Sequence, residues 1–384
     1  MKKGLICILV CTLMVVSTVV PIAATTESKK TSHPLTMGNT LYVGGSGPGN
    51  YTKIQDAIDN ASNGDTVFVY DDSAPYYENV VVNKAINLIG ENRNTTIIDG
   101  NLLESVMEIT ESSIFISSFT LRNGSGNGQA GIQLYNNNNV TIANCIIGYN
   151  VDGITSQHWV NNLSIINCVI HNNSGDGIYL FNFNDDSPQN CFLTNKGINK
   201  INSNINGWQS NATISNISIK DCIINCNTLN GIKIGVARDV EIHHNIISNN
   251  HGRGIMLWAD TYDASIDNNT IFYNGAGGTY DGGILIQSCK NCYIKNNNIS
   301  SNDKYGILFH KSPKNRFIEN TFKENSINAF FNHYNNFWYG NYWDKPRLLP
   351  KLIFGRIGMF DFIPWINIDW HPAQEPYDIP LQEG

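Results

Sequence analysis

Asp152 and Asp176 each stand directly before a Gly-Ile pair, 24 residues apart, and Arg253 holds the same place further along the chain. If such a step is one turn of a repeating fold, the two carboxylates stack about 5 Å apart, the spacing of neighbouring strands. Carboxylates that close raise one another's proton affinity or recruit a cation such as Ca²⁺. A pair at about that separation is what a retaining glycosidase uses. A lyase instead wants a Ca²⁺-binding carboxylate cluster with a basic residue, which Lys233 or Arg253 could supply. Asp185 and Asp186 could extend the acidic rim, so the candidate metal set is Asp152, Asp176, Asp185 and Asp186. Asp and Asn before Gly are also ordinary turn formers, and no complete catalytic constellation is visible.

Beside these groups runs a second pattern. In each segment after Gly-Ile, the first and third residues past the glycine are mostly apolar, as in Ile178 and Leu180 or Ile255 and Leu257. On a strand the alternate positions then point outward. They include Tyr135, Gln157, Tyr179, Phe181, Lys233, Trp258, Gln287 and His310. Aromatics beside Gln and Lys along one face suit stacking on sugar rings and make a candidate carbohydrate-binding face. Aromatics also favour strands for packing reasons alone.

Imidazoles suit copper or zinc, and His243, His244 and His251 lie close in sequence. Alternation along a strand would turn His243 and His244 to opposite faces, which argues against a shared metal. Seven cysteines follow the N-terminal segment, an odd number and no clean disulfide framework. Cys145, Cys168 and Cys222 recur in phase and read as a buried thiol stack. Cys292 aligns with the apolar positions Val140, Leu163 and Val240.

The elements that must position these groups come from a repeat. Gly-Ile pairs fall at Gly131, Gly153, Gly177, Gly231, Gly254, Gly283 and Gly306. A second phrase falls at Cys145, Cys168, Cys222, Asn245, Asn269, Asn297 and Asn320. Both markers give a period of about 23 residues and both skip the same stretch, near 182–212. The repeat holds short segments of period two, such as Val140–Ala143, between Asn/Gly turns, which means short strands. Strands stacked by translation form parallel sheets, so the expected fold is all-β: a single-stranded right-handed parallel β-helix with an insertion near 182–212. Asn at the bends can stack as a hydrogen-bonded ladder.

The ends depart from the repeat. Ile54, Ala57, Ile58 and Ala61 are spaced for a short helix that covers the first turn. Residues 41–335 are assigned to the β-helix and 336–384, rich in Trp and Pro, to a cap over the last sheet edge. Lys2 and Lys3 before an apolar run make residues 1–24 a signal peptide, or an uncleaved anchor that is the chain's one expected membrane contact. Residues 25–40 read as a flexible leader. Net charge is -7 over 384 residues, which argues against nucleic acid as a partner. A monomer is expected.

The stretch YTKIQDAIDNASNGDTVFVY (51–70), followed by YYENVVVNKAINLIGENRNTTIIDG (76–100), resembles the opening turns of right-handed parallel β-helix proteins of the NosD-like and pectin-esterase-like kind. The repeats resemble the NosD-like group, also described as carbohydrate-binding and sugar-hydrolysis domains of the pectin-lyase-like superfamily. The resemblance covers about residues 40–335. The tail NFWYGNYWDKPRLLPK with PWINIDWHPAQEPYDI is similar to a module that follows such β-helices in exported prokaryotic proteins. The resemblance implies export and, through the NosD name, copper-site assembly on a periplasmic protein. The paired Asp, Gln and Arg motifs of pectin esterases are not found here. The expectation is therefore a secreted or cell-surface module that binds carbohydrate or a cell-surface polymer, with no cofactor beyond Ca²⁺. The alternatives are a polysaccharide lyase or glycoside hydrolase using Asp152, Asp176 and Arg253, a copper-site accessory, and a purely structural surface protein.

Overall fold

The computed structural model describes residues 38–126, 129–156, 158–182, 214–276, 278, 281–358 and 361–379. The expected signal peptide, all but the end of the leader, Gln157, and nearly all of the insertion with Asp185 and Asp186 lie outside the described residues.

Each turn supplies three short strands, one to each of three sheets. In one turn they are Asn137–Ala143, Ile146–Gly148 and Asp152–Ser156. Each strand pairs in parallel with its counterpart one turn on: Val140 with Leu163, Ile147 with Ile170, Ile154 with Ile178. Repetition builds a first sheet of 12 strands, a second of 11 and a third of 12. This is an all-β solenoid with a single short helix among the described residues. The inward columns are β-branched and fully buried. Ile132, Ile154, Ile178, Ile232, Ile255, Ile284 and Ile307 stack at 0 to 1% exposure, each on a copy of itself. Across the long gap, Ile178 pairs directly with Ile232, so the insertion leaves and rejoins without shifting the register.

The corners explain the abundance of Asn. Asn144, Asn167, Asp221, His244, Asn268, Asn296 and Glu319 form one column with φ between 52° and 58°. Asn and Asp tolerate this left-handed conformation better than most side chains. The next column inward is a buried ladder. The N–H and Nδ2 of Asn245 both donate to Oδ1 of Asn269, and the relation repeats to Asn297, Asn320 and Asn341 at 2.9 to 3.0 Å. A second ladder runs Asn150, Asn173, Asn227, Asn250, Asn274, Asn302 and Asn325. Buried amides are tolerable only because each is hydrogen-bonded. The Gly of each Gly-Ile pair is steric in origin. A Cβ there would lie 2.4 to 2.9 Å from the next turn's glycine carbonyl in the run from Gly131 to Gly283.

At the N-terminal end the helix Ile54–Asn60 buries Ile54, Ala57 and Ile58. It has no side-chain cap of its own. Glu78 supplies one, accepting from the N–H groups of Ile54 and Gln55 at 2.9 and 3.0 Å. At the other end the coil runs on through Phe337–Tyr339 and Tyr342–Trp343 in the first and second sheets. The third sheet ends in a hairpin. Lys351–Ile357 adds in parallel to Ile327–Asn332, and Ile363–Asp369 folds back antiparallel on it. Trp338 and Trp343 are buried, whereas Trp365 and Trp370 are exposed. Asp369, fully buried, accepts the last amide of the first ladder from Asn341 and the indole N–H of Trp343.

Candidate functional site

The third sheet carries the candidate face. Register places Phe181, Gly235 and Trp258 on successive turns, with Tyr179, Lys233 and Met256 in the neighbouring column. Gly235 decides the local geometry. Without a side chain between them, Phe181 and Trp258 reach across two turns and stack at 4.8 Å between centroids, 18° from parallel. A Cβ on Gly235 would meet Trp258 Nε1 at 2.4 Å. Lys233 Nζ lies 4.2 Å from the Tyr179 ring centre, 5.7 Å from that of Trp258 and 3.7 Å from Asp176 Oδ2. The ammonium is therefore held by two π faces and a carboxylate.

Exposure sorts the outward residues. Tyr135, Tyr179, Lys233, Trp258, Gln287 and His310 are half-buried. Phe181 is 5% exposed and forms the floor of the stack. Other outward positions are also covered: Thr155, Leu285 and Leu308 are buried, and buried Gln133 accepts from the Ser105 hydroxyl at 2.9 Å. The face is thus a narrow strip of partly open aromatics around Tyr179 and Trp258.

Asp152 and Asp176 do stack on adjacent turns, but each also serves the backbone. The Asp176 N–H donates to Asp152 Oδ1 at 2.7 Å, and Asn230 donates to Asp176 Oδ1 through its N–H and Nδ2 at 2.8 and 2.7 Å. The Arg253 N–H continues the column onto Asn230 Oδ1 at 3.1 Å. So the turn-forming role and the acidic pair coexist in the same side chains. Burial, then the charge of Asp176, pushes the Asp152 carboxyl up to about 6, against the Asp176 N–H and Lys233. Burial, then Asp176 and Asp152, also pushes the Tyr179 hydroxyl up. Arg253 pairs with Asp281 at 3.8 Å, and burial draws its pKa down from the ordinary value. A carboxylic acid that titrates near 6 next to an ion-paired carboxylate is able to donate a proton at mildly acidic pH.

Elsewhere, Glu91, Arg93, Asn144, Asn167, Asp221 and His244 line a polar groove of about 530 Å³ at the corner between the first and second sheets. The expected separation of His243 and His244 is not observed: their Nδ1 atoms lie 2.9 Å apart. Strand alternation fails there because His244 is a corner residue with φ 57°. Cys145, Cys168, Cys222, Cys289 and Cys292 are buried free thiols. Cys145, Cys168 and Cys222 are 0 to 1% exposed, so this stack packs the corner out of reach of solvent.

Among the described residues, Asp152 and Asp176 belong to no group of three convergent metal donors. The one such group among the described residues is His310, His333 and Asp361, whose ligand atoms lie within 4.8 Å of one another. His310 is recognisable in the sequence only as an outward strand residue. His333 and Asp361 carry no repeat signal, since the C-terminal hairpin brings them in.

Three sheets of stacked parallel strands, with ladders inside the corners, define a parallel β-solenoid. Residues 114–271 and 209–342 match the family described as right handed beta helix region, together more than half of the chain, and the chain belongs to that family. No curated protein matches it. Similar solved structures include the GH136 lacto-N-biosidase from Eubacterium ramulus, with 11% identity and a TM-score of 0.53 over 88% of this chain and 68% of that chain. The Dettilon tailspike protein has 12% identity and a TM-score of 0.52 over 78% of this chain and 62% of that one. The A-module of the Azotobacter vinelandii mannuronan C-5 epimerase AlgE4 has 14% identity and a TM-score of 0.48 over 74% and 90%. At these identities the likeness is one of fold.

Proposed function

We propose that the chain is an exported β-helix module that binds carbohydrate on its third sheet, on the strip formed by Tyr179, Lys233 and Trp258. The observation that carries this reading is the Phe181–Trp258 stack, built over Gly235 and flanked by Tyr179 and a held ammonium. A rigid, half-open aromatic surface with an ammonium at its side is suited to the apolar face of a sugar ring, with hydroxyls meeting Lys233. Such anchors concentrate binding energy in a few residues. The lacto-N-biosidase of the same fold is by name a carbohydrate-acting protein, which agrees with this ligand class without assigning it.

The test is a glycan array followed by titration calorimetry on the best ligand. Trp258→Ala and Tyr179→Ala should each weaken binding about tenfold or more, roughly 1.4 kcal/mol, while Trp370→Ala, at the exposed C-terminal end, should not. No glycan bound, or equal affinity in the Trp258→Ala variant, would sink the reading.

A second reading rests on Asp152. A carboxyl raised to about 6 beside Asp176 fits the acid of a polysaccharide-cleaving enzyme. A depolymerisation screen with and without Ca²⁺ separates the two. Product that disappears in the Asp152→Asn variant would establish this enzyme reading in place of the binding module. Silence in both assays would leave a structural or copper-accessory role.

A further inference from the structure

We propose that His310, His333 and Asp361 form a binding site for a zinc-class divalent cation where the C-terminal hairpin meets the solenoid. Three separate segments supply the donors. His310 ends the strand Tyr305–His310, His333 follows the next strand Ile327–Asn332, and Asp361 lies in the loop between Lys351–Ile357 and Ile363–Asp369. The two rings lie 5.2 Å apart at 78°. Asn332 Nδ2, 3.3 Å from His310 Nδ1, steadies the first ring. The N–H of His333 donates to the Arg356 carbonyl at 2.7 Å and fixes the backbone of the second.

The donor atoms converge. His333 Nδ1 and Asp361 Oδ1 lie 2.8 Å apart with both atoms buried, and His310 brings a third donor, so that all three lie within 4.8 Å of one another. Asp361 holds left-handed backbone, with φ 57°.

The donor set names the cation class. Two imidazoles and one carboxylate suit zinc and its first-row neighbours, whereas Ca²⁺ and Mg²⁺ want oxygen donors. At zinc bond lengths near 2.0–2.2 Å, ligand atoms sit about 3 to 3.5 Å from one another. The 2.8 Å pair is close to that, and all three donor atoms lie within 4.8 Å of one another. Three protein donors leave a coordination position for water or another ligand. The side chains of His333 and Asp361 retain 16 and 25% exposure.

The test uses the full chain without a histidine tag, with Zn²⁺ titrated by calorimetry and Co²⁺ followed by its visible ligand-field spectrum. One equivalent of Zn²⁺ should bind, and Asp361→Asn and His333→Gln should each weaken that event at least tenfold. Asn is at home in left-handed backbone, so Asp361→Asn should preserve the hairpin, and circular dichroism checks that it does. Because His243 and His244 could also take up metal, His244→Gln is the control and should leave the event unchanged. X-ray absorption of the Co²⁺ form should show two imidazoles. Absence of binding in the wild type, or binding that His244→Gln removes and Asp361→Asn does not, would overturn the proposal.

Discussion

Asp152 shows how one side chain carries two demands. Its Oδ1 must accept the N–H of Asp176 to close the turn, and its burial disfavours the charge it brings. The folded-state pKa of about 6 lies above the ordinary 3.8. Between those values the folded chain holds a proton that the unfolded chain has released. The stabilising contribution is therefore fully present below pH 3.8 and is lost as pH rises through about 6. Two pKa units correspond to about 3 kcal/mol at most. Asn accepts the same N–H without the charge, and the chain itself uses Asn230 in this column. The Asp152→Asn variant should therefore match the wild type in urea at pH 4 and exceed it by up to about 3 kcal/mol at pH 7.5. Equal midpoints at both pH values would show that the carboxyl is not destabilised by burial.

At the scale of the element, the corners do more than turn the chain. Asn274 accepts from the N–H and Nδ2 of Asn250 and donates to Asn302, Ile247 and Phe272. Removing the amide strands several buried groups, each at about 1–3 kcal/mol. Asn274→Ala should cost roughly 3–5 kcal/mol by urea denaturation. Asn138→Ala, which breaks only an exposed Asn–Asn contact, should cost under about 1 kcal/mol. Similar losses would mean that the inner ladder is dispensable. These ladders, the strand period and the Asp152–Asp176 adjacency were legible in the sequence because a solenoid writes its pairing into its own period: what is 23 residues on is the next turn. What breaks the period was not. The sequence does not say that Gly235 would let Phe181 and Trp258 stack, since that depends on an absent side chain between two rings. Nor does it pair His310 with Asp361, which a non-repeating hairpin delivers. Nor does strand alternation hold for His243 and His244, because a corner residue does not alternate.

For the whole molecule, the question is how a linear stack ends. Every turn buries its neighbours, so each end offers an unpaired sheet edge and a bare apolar cross-section, a template for another chain. The N-terminal end is closed by the helix Ile54–Asn60. The C-terminal end is closed in three ways at once. Phe322 and Trp343 stack at 4.7 Å across the last turn, Asp369 ends the Asn ladder, and the strands 351–357 and 363–369 take up the edge of the third sheet. A chain ending at Trp343 keeps the aromatic plug but loses Asp369 and the hairpin. The amide of Asn341 and the indole of Trp343 then lose a buried acceptor, and Ile327–Asn332 becomes an open parallel edge. By light scattering after size exclusion, the full chain should be monomeric and the shortened chain should form higher assemblies whose proportion grows with concentration. Asp369→Ala in the full chain isolates the ladder's share. It should lower the unfolding free energy by about 1–3 kcal/mol for the stranded donors without assembly, because the hairpin still covers the edge. A shortened chain that stays monomeric and melts like the parent would mean that the aromatic plug alone terminates the solenoid.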